Sequence, residues 1–67
     1  MPPQDQLTPR EKEVLRLYSV GSRPSQIAPY LGIAEHTVRE HFSNIRRMLA
    51  VRHIGQAVNL AVRASLI

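Results

Sequence analysis

The chain has 67 residues, a length that allows one domain at most and only a small hydrophobic core. It contains no cysteine, which excludes disulfides and thiolate metal ligands. The net charge of +4 is unevenly distributed: cations and acids balance five against five up to Glu40, and four arginines with no acid follow from His41 onward. Eight of the nine cations are arginine, which favours bidentate contacts to phosphate or guanine. An anionic partner such as nucleic acid fits this charge, although a merely soluble basic surface does too.

Residues 1–6 are polar and rich in proline, which predicts a disordered start or the end of a linker. The rest of the chain has helical periodicity, with no alternating apolar run and no hairpin turn signal. No apolar stretch is long enough for a membrane span or a signal-peptide core. We therefore expect a cytoplasmic protein with no membrane partner.

The first helix is predicted to run from Pro9 to about Val20. Thr8 is the expected N-cap, Pro9 occupies the first helical position, and Glu11 completes a capping box. Gly21 is expected to end the helix. The apolar residues expected at the core, including a hydrophobic staple before the cap, are Leu7, Val14, Leu15, Leu17 and Tyr18.

The second helix contains a proline in its predicted span. Pro29 lacks a backbone N–H and crowds the carbonyl four residues back, so the least strained start is near Ser25, with Pro29 in or just past the first turn. We predict a short, distorted helix that stops at Gly32. Its expected inward residues are Ile27, Ala28 and Leu31.

The third helix, predicted over residues 35–49, has one apolar and one polar side. The apolar side consists of Val38, Phe42, Ile45 and Leu49. The polar stripe consists of His36, Arg39, Glu40, Ser43 and Arg47. Side chains of these types read base edges and phosphates, although an ordinary solvated helix face has a similar composition.

The fourth helix, predicted roughly over residues 56–65, is apolar on most sides. One face consists of Ala57, Leu60, Ala61 and Ala64, and a second face consists of Val58, Val62 and Leu66. A small domain cannot bury both faces, so we predict self-association through the second. The alternative is that Val58 or Val62 completes the core.

The turn Gly32-Ile33-Ala34 joins two short helices as in a helix-turn-helix. An ordered set of residues after Gln6 extends the pattern over nearly the whole chain: Leu7-Thr8-Pro9-Arg10-Glu11, Glu13-Val14-Leu15, Gly21, Ile27-Ala28, Leu31, Ile33, Glu35, Thr37-Val38-Arg39, His41, Asn44-Ile45, Leu49, Val51 and Ala57-Val58. In these residues the sequence resembles the LuxR/FixJ-type helix-turn-helix family.

The resemblance implies an all-α, four-helix DNA-binding domain over residues 7–67, with the third helix as recognition helix and the fourth as a dimer contact. It implies a bacterial transcription regulator that binds double-stranded DNA as a homodimer, with RNA polymerase as a further partner. Members of the family usually carry an N-terminal receiver domain, as response regulators do, or a ligand-binding domain. Residues 1–6 could be the stub of a linker to such a domain or the start of a stand-alone regulator.

Position by position, Arg39 matches the family's DNA-contacting lysine or arginine, and Glu40 matches a variable position that tends to set sequence preference. The predicted DNA-binding residues are Ser25, His36, Thr37, Arg39, Glu40, Ser43, Arg46 and Arg47, and the predicted dimer contacts are Val58, Val62 and Leu66. Glu40 could instead pair with His36 or Asn44 on the helix surface, and Arg46 could be a plain surface charge.

The sequence departs from the family pattern at several positions. Ala34 stands where a serine or threonine N-cap is usual, which costs about 1 kcal/mol and predicts that the recognition helix frays until DNA is bound. Ala50 replaces a common glycine, so we do not expect the helix to end easily on a left-handed residue. Met48 replaces a common lysine and removes a possible phosphate contact, and Pro24 and Pro29 are unusual.

His36 and His41 lie on different sides of the predicted helix and lack an acid or cysteine that would complete a ligand set, so we predict no metal site. His41 is expected to be a hydrogen-bonded core residue. No nucleophile–base grouping or phosphate-binding loop is visible, and we predict neither a cofactor nor enzyme activity. The alternative function is a helical interaction module that binds another regulator and would not need the polar stripe.

Overall fold

The computed structural model describes residues 7–67, and this part of the chain contains helices and no strand. The helices are α1 (Pro9–Ser19), α2 (Pro24–Leu31), α3 (Glu35–Leu49) and α4 (Ile54–Arg63). α3 packs against each of the other helices, whereas α2 and α4 do not meet within residues 7–67. The predicted all-α fold is confirmed, with α3 at its centre. The segment predicted to be a linker, residues 1–6, lies outside the described residues.

None of the four helices has the length and apolar character needed to cross a membrane.

The core forms between the inward sides of all four helices. α3 contributes Val38, Phe42 and Ile45, as its apolar periodicity predicts, and Leu49 is half-buried at the end of the same line. The rings of Tyr18 and Phe42 meet edge to face with centroids 5.3 Å apart, which joins α1 to α3. The buried apolar residues are Leu7, Val14, Leu15, Ile27, Ala28, Val38, Phe42, Ile45, Ala57 and Ala61.

The start of α1 has the predicted capping box. The Thr8 hydroxyl accepts a hydrogen bond from the Glu11 N–H at 3.1 Å, and the Glu11 carboxylate accepts one from the Thr8 N–H at 3.0 Å. Two backbone donors that have no partner inside the helix are thereby satisfied. Leu7, just before the cap, is buried in the core, and the helix ends at Ser19 with Val20 as its C-cap.

α2 begins at Pro24, one residue earlier than expected, and has eight residues. Pro29 is therefore the sixth helical residue, in the second turn. Because Pro29 has no N–H, the Ser25 carbonyl lacks its usual helical partner, but the helix continues to Leu31. The short length is confirmed, as is the inward orientation of Ile27 and Ala28; a distorted backbone remains a prediction.

Within residues 7–67, each of the four helices is followed one or two residues later by a residue with positive φ, whose successor donates a hydrogen bond to the carbonyl five residues back, a Schellman motif. The four positive-φ residues are Gly21, Gly32, Ala50 and Ser65. The four hydrogen bonds run from Ser22 to Leu17, from Ile33 to Ala28, from Val51 to Arg46 and from Leu66 to Ala61.

The expectation that Ala50 would avoid the left-handed conformation is wrong, because its φ is 57° and its ψ is 44°. The conformation costs a residue with a Cβ about 1–2 kcal/mol. It lets the Val51 N–H reach the Arg46 carbonyl at 2.9 Å and the Ala50 N–H reach the Arg47 carbonyl at 3.3 Å. These bonds satisfy carbonyls at the end of α3 that would otherwise lack partners, which offsets the cost.

α4 starts at Ile54 and ends at Arg63, two residues earlier at each end than predicted. The side-chain oxygen of Gln56 accepts hydrogen bonds from the N–H groups of Arg52 and His53, each at 3.0 Å. Because its side chain satisfies these two N–H groups just before the helix, Gln56 is the third helical residue and not, as predicted, the first.

The predicted inward face of α4 is only half correct. Ala57 and Ala61 are fully buried, whereas Leu60 is 43% exposed and Ala64 is exposed. Two alanines four residues apart form a narrow line along which α4 can approach the core closely. Leu60 lies beside that line, and Ala64 follows the last helical residue, so neither is covered.

Candidate nucleic-acid interface

α2, the turn at residues 32–34 and α3 form a helix-turn-helix. Gly32 makes the turn with a φ of 70°, and Ala34 enters α3 in an extended conformation. The Ala34 carbonyl accepts the first helical hydrogen bonds, from Thr37 at 3.0 Å and Val38 at 3.2 Å. Ala34 offers no side-chain hydrogen bond to the first turn, as predicted. Fraying of this turn stays a prediction.

The polar stripe of α3 is exposed along its whole length. The five residues of the stripe, all exposed, are His36, Arg39, Glu40, Ser43 and Arg47. Of the other predicted site residues, Ser25 is exposed in the first turn of α2, while Thr37 and Arg46 are half-buried on α3. The structure therefore places seven predicted residues on one helix, five of them in the exposed stripe.

The arginines of α3 bond to neighbours on the same helix. The Arg39 guanidinium forms an ion pair with Glu35, four residues back. Arg46 donates to the Ser43 hydroxyl at 3.2 Å, and Arg47 donates to the side-chain oxygen of Asn44. Glu35 and Asn44 were not predicted to hold arginines, although their spacings of four and three residues are those at which helical side chains meet.

Glu40 has a different environment from Glu35. Within residues 7–67 its carboxylate forms no ion pair or hydrogen bond, so the expected alternative pairing with His36 or Asn44 is absent from this part of the chain. An exposed carboxylate on a surface that meets DNA is costly unless it accepts a hydrogen bond, and the amino group of cytosine is the base donor that suits it.

Charge along α3 follows the helix dipole. Glu35 lies in its first turn, and Arg46 and Arg47 lie in its last. Arg52 follows α3 closely, so cationic side chains concentrate at the C-terminal end of α3 and just beyond it. Such a basic end attracts phosphate independently of base sequence.

His41 differs from its prediction. It is half-buried, and its Nδ1 atom is buried with no hydrogen-bond partner among the described residues. Asn44, one turn ahead, uses its oxygen for Arg47, and the nearby Val38 and Ile45 side chains have no polar atom. No group of three or more potential metal-ligating side chains occurs in residues 7–67.

On α4 the predicted dimer contacts differ in exposure. Val62 is 57% exposed, whereas Val58 and Leu66 are partly buried against the core. The alternative interpretation therefore holds for Val58, which helps to complete the core. Val62 and the exposed Leu60 lie on different sides of the helix, two residues apart.

The sequence matches a known family and several known proteins. Residues 5–61 match the family described as bacterial regulatory proteins, luxR family. The chain is 41% identical over 61 residues to the transcriptional activator protein YukR of Yersinia ruckeri, which covers 91% of this chain and 27% of YukR. It is 42% identical over 55 residues to the CsgBAC operon transcriptional regulatory protein of Escherichia coli, covering 82% of this chain and 26% of that protein.

The spore germination protein GerE of Bacillus subtilis is 44% identical over 52 residues, which are 78% of this chain and 70% of GerE. The chain thus spans about a quarter of the length of YukR and of the CsgBAC regulator, and most of the length of GerE.

Proposed function

Because the chain belongs to the luxR family of bacterial regulatory proteins, a family of transcription regulators rather than of enzymes, we propose that it binds double-stranded DNA in a sequence-specific manner as the DNA-binding domain of a transcription regulator. The observation that carries the proposal is the exposed polar stripe on α3, on the second helix of a helix-turn-helix. α3 is the helix that would enter the major groove, and α2 would lie across the DNA backbone and support α3.

Base choice is proposed for Arg39 and Glu40. An arginine fork suits the O6 and N7 acceptors of guanine, and a carboxylate suits the amino group of cytosine. Both side chains are exposed, and Glu40 has no competing partner within residues 7–67. Ser43 and His36 lie on the same stripe and would reach neighbouring base edges or sugars.

Phosphate binding is proposed for the remaining site residues. Arg46 and Arg47 lie at the basic end of α3, and their present bonds are surface contacts to a serine and an asparagine. Such exposed bonds cost little to exchange for a phosphate, which offers charge-assisted hydrogen bonds. Thr37, and Ser25 in the first turn of α2, would complete the backbone contacts.

Dimer formation through α4 is the second part of the proposal. Val62 is exposed, and Val58 and Leu66 are only partly buried, so pairing two copies would cover apolar area. Two domains held in this way would bind two half-sites about one helical turn of DNA apart. A contact with RNA polymerase and a cytoplasmic location would follow from a role in bacterial transcription.

The test is selection from a randomised duplex pool, followed by anisotropy titration of the selected duplex and a scrambled duplex at two salt concentrations. We expect an inverted repeat that binds more tightly than the scrambled duplex and weakens as salt rises. Equal binding of both duplexes would contradict sequence-specific reading. Absence of binding at low salt would favour the helical interaction module, whose partner binding would survive loss of the α3 stripe.

A further inference from the structure

The start of α3 contains an ion pair in which one partner would be attracted to DNA and the other repelled by it. Arg39 is the proposed base-reading residue, and Glu35 is an acid in the first turn. Their side chains are 63% and 40% exposed, so both charged groups are accessible to a ligand. A bound duplex would attract the guanidinium and repel the carboxylate.

The pair favours one direction of the Arg39 side chain. Helical side chains lean toward the N-terminus, and the bond to Glu35 holds the guanidinium over the first turn. Ala34 supplies no side-chain cap to that turn. The N-terminal residues of the second helix are those that meet base edges in a helix-turn-helix. Glu35 therefore holds the guanidinium close to where it would be used.

We propose that Glu35 is a positioning residue that makes Arg39 selective, an inference that rests on the proposed DNA-binding function. On a duplex without a suitable guanine, Arg39 stays paired with Glu35 and is withheld from phosphate. On the target, the bidentate acceptors of guanine replace the carboxylate. Glu35 thus weakens binding to non-target DNA more than binding to target DNA, which raises the ratio of the target to the non-target binding constant.

The size of the effect follows from the strength of the pair. Exposed ion pairs of this kind change an equilibrium constant by about two- to fivefold. Freeing one arginine for one more phosphate contact steepens the dependence of log K on log salt by about 0.9. Both quantities are measurable by titration.

The experiment compares wild type, Glu35→Gln, Arg39→Gln and the double variant, each titrated by anisotropy with the selected and the scrambled duplex over a range of salt. The charge-matched control is Glu13→Gln, which removes an acid from an exposed ion pair with Arg10 on α1. Circular dichroism melts of each variant measure stability separately, because loss of structure would weaken binding to both duplexes alike.

We expect Glu35→Gln to tighten binding of the scrambled duplex by about two- to fivefold more than that of the selected duplex. The salt dependence on the scrambled duplex should steepen, and the excess tightening on the scrambled over the selected duplex should vanish in the Arg39→Gln background. Glu13→Gln should change both duplexes equally.

Two results would overturn the inference. One is a Glu35→Gln variant that behaves as Glu13→Gln does, and the other is an excess tightening on the scrambled duplex that is equally large with and without Arg39. If wild type binds target DNA specifically, either result removes the role of Glu35 alone. If wild type binds neither duplex, the proposed function fails as well.

Discussion

On α3, Val38, Phe42 and Ile45 face the core and are at most 6% exposed, whereas Arg39 and Arg47 on the opposite side face solvent. The inward side chains pack against residues of the other helices. The hydrogen bonds of the outward arginines within residues 7–67 end on α3 itself. The inward face therefore has its partners on the other helices, whereas the outward arginines, within residues 7–67, bond only along α3. Changes on the first should alter folding, and changes on the second should alter binding.

The largest expected effect is on the inward face. Ile45 is fully buried, and Ile45→Ala removes apolar contacts and leaves a cavity, so the free energy of unfolding should fall by about 2–5 kcal/mol in urea titrations. Ser43→Ala, two residues away on the exposed side, should change it by less than about 0.5 kcal/mol. Equal losses for the two variants would break the distinction between the faces.

Glu40→Ala should change which sequence is preferred while leaving stability unaltered. A base-reading contact contributes about 1–3 kcal/mol of discrimination at one position. The measurement is a repeated selection from randomised DNA with the variant, compared with wild type. An unchanged selected sequence would exclude Glu40 as a reader.

Arg47→Ala should weaken binding to selected and scrambled duplexes alike, by about tenfold, since a charged hydrogen bond contributes about 1.5 kcal/mol or more. The slope of log K against log salt should become shallower by about 0.9. The control is Arg16→Ala, which removes another exposed positive charge, from α1. A similar loss in both variants would mean that net charge rather than the α3 surface attracts DNA.

Ala34→Ser should stabilise the domain by about 1 kcal/mol, because it supplies the missing side-chain cap of α3. Ala34→Val, which adds no acceptor, serves as the control and should not stabilise. Thermal melts monitored by circular dichroism measure both. If the serine variant gave no gain, the first turn of α3 would already have its donors satisfied.

The smallest effect is expected at the other end of α3. Ala50→Gly relieves the left-handed strain but increases the entropy of the unfolded chain, which leaves a net gain of about 0.5–1 kcal/mol. Ala64→Gly is the matched control, because Ala64 caps α4 with a φ of −87° and should lose stability on the same change. Destabilisation at both positions would contradict the account of strain at Ala50.

The inward face could be predicted from sequence because its cause is local. The spacing of Val38, Phe42 and Ile45 specifies one buried line, and the predicted bounds of the helix agree with α3 at Glu35–Leu49. The capping box of Thr8 and Glu11 is equally local, since its partners are three residues apart.

The incorrect predictions fall where backbone groups need hydrogen-bond partners or where small residues set how closely a helix packs. Ala50 adopts a conformation that its side chain disfavours because two carbonyls at the end of α3 need partners. α4 starts early because Gln56 reaches back to the N–H groups before it. Leu60 is uncovered because close approach of Ala57 and Ala61 sets the packing of α4. Apolar periodicity carries no information on these competing requirements.

For the candidate site, sequence sufficed to identify which side chains share the exposed stripe, because that follows from helical spacing. It did not reveal which arginines are already bonded. Arg39 pairs with Glu35 rather than with another acid, and Glu40 remains without a partner in residues 7–67. Such choices depend on rotamers, which several spacings allow equally.

The most direct test of the difference between the two faces is an amide and arginine side-chain NMR titration of the protein with its selected duplex. We expect the largest chemical-shift changes to fall on Arg39, Glu40, Ser43 and Arg47, while the signals on the exposed side of α1, at Arg10 and Glu13, stay unchanged. Shifts concentrated on α1, or spread evenly over all exposed arginines, would contradict this expectation.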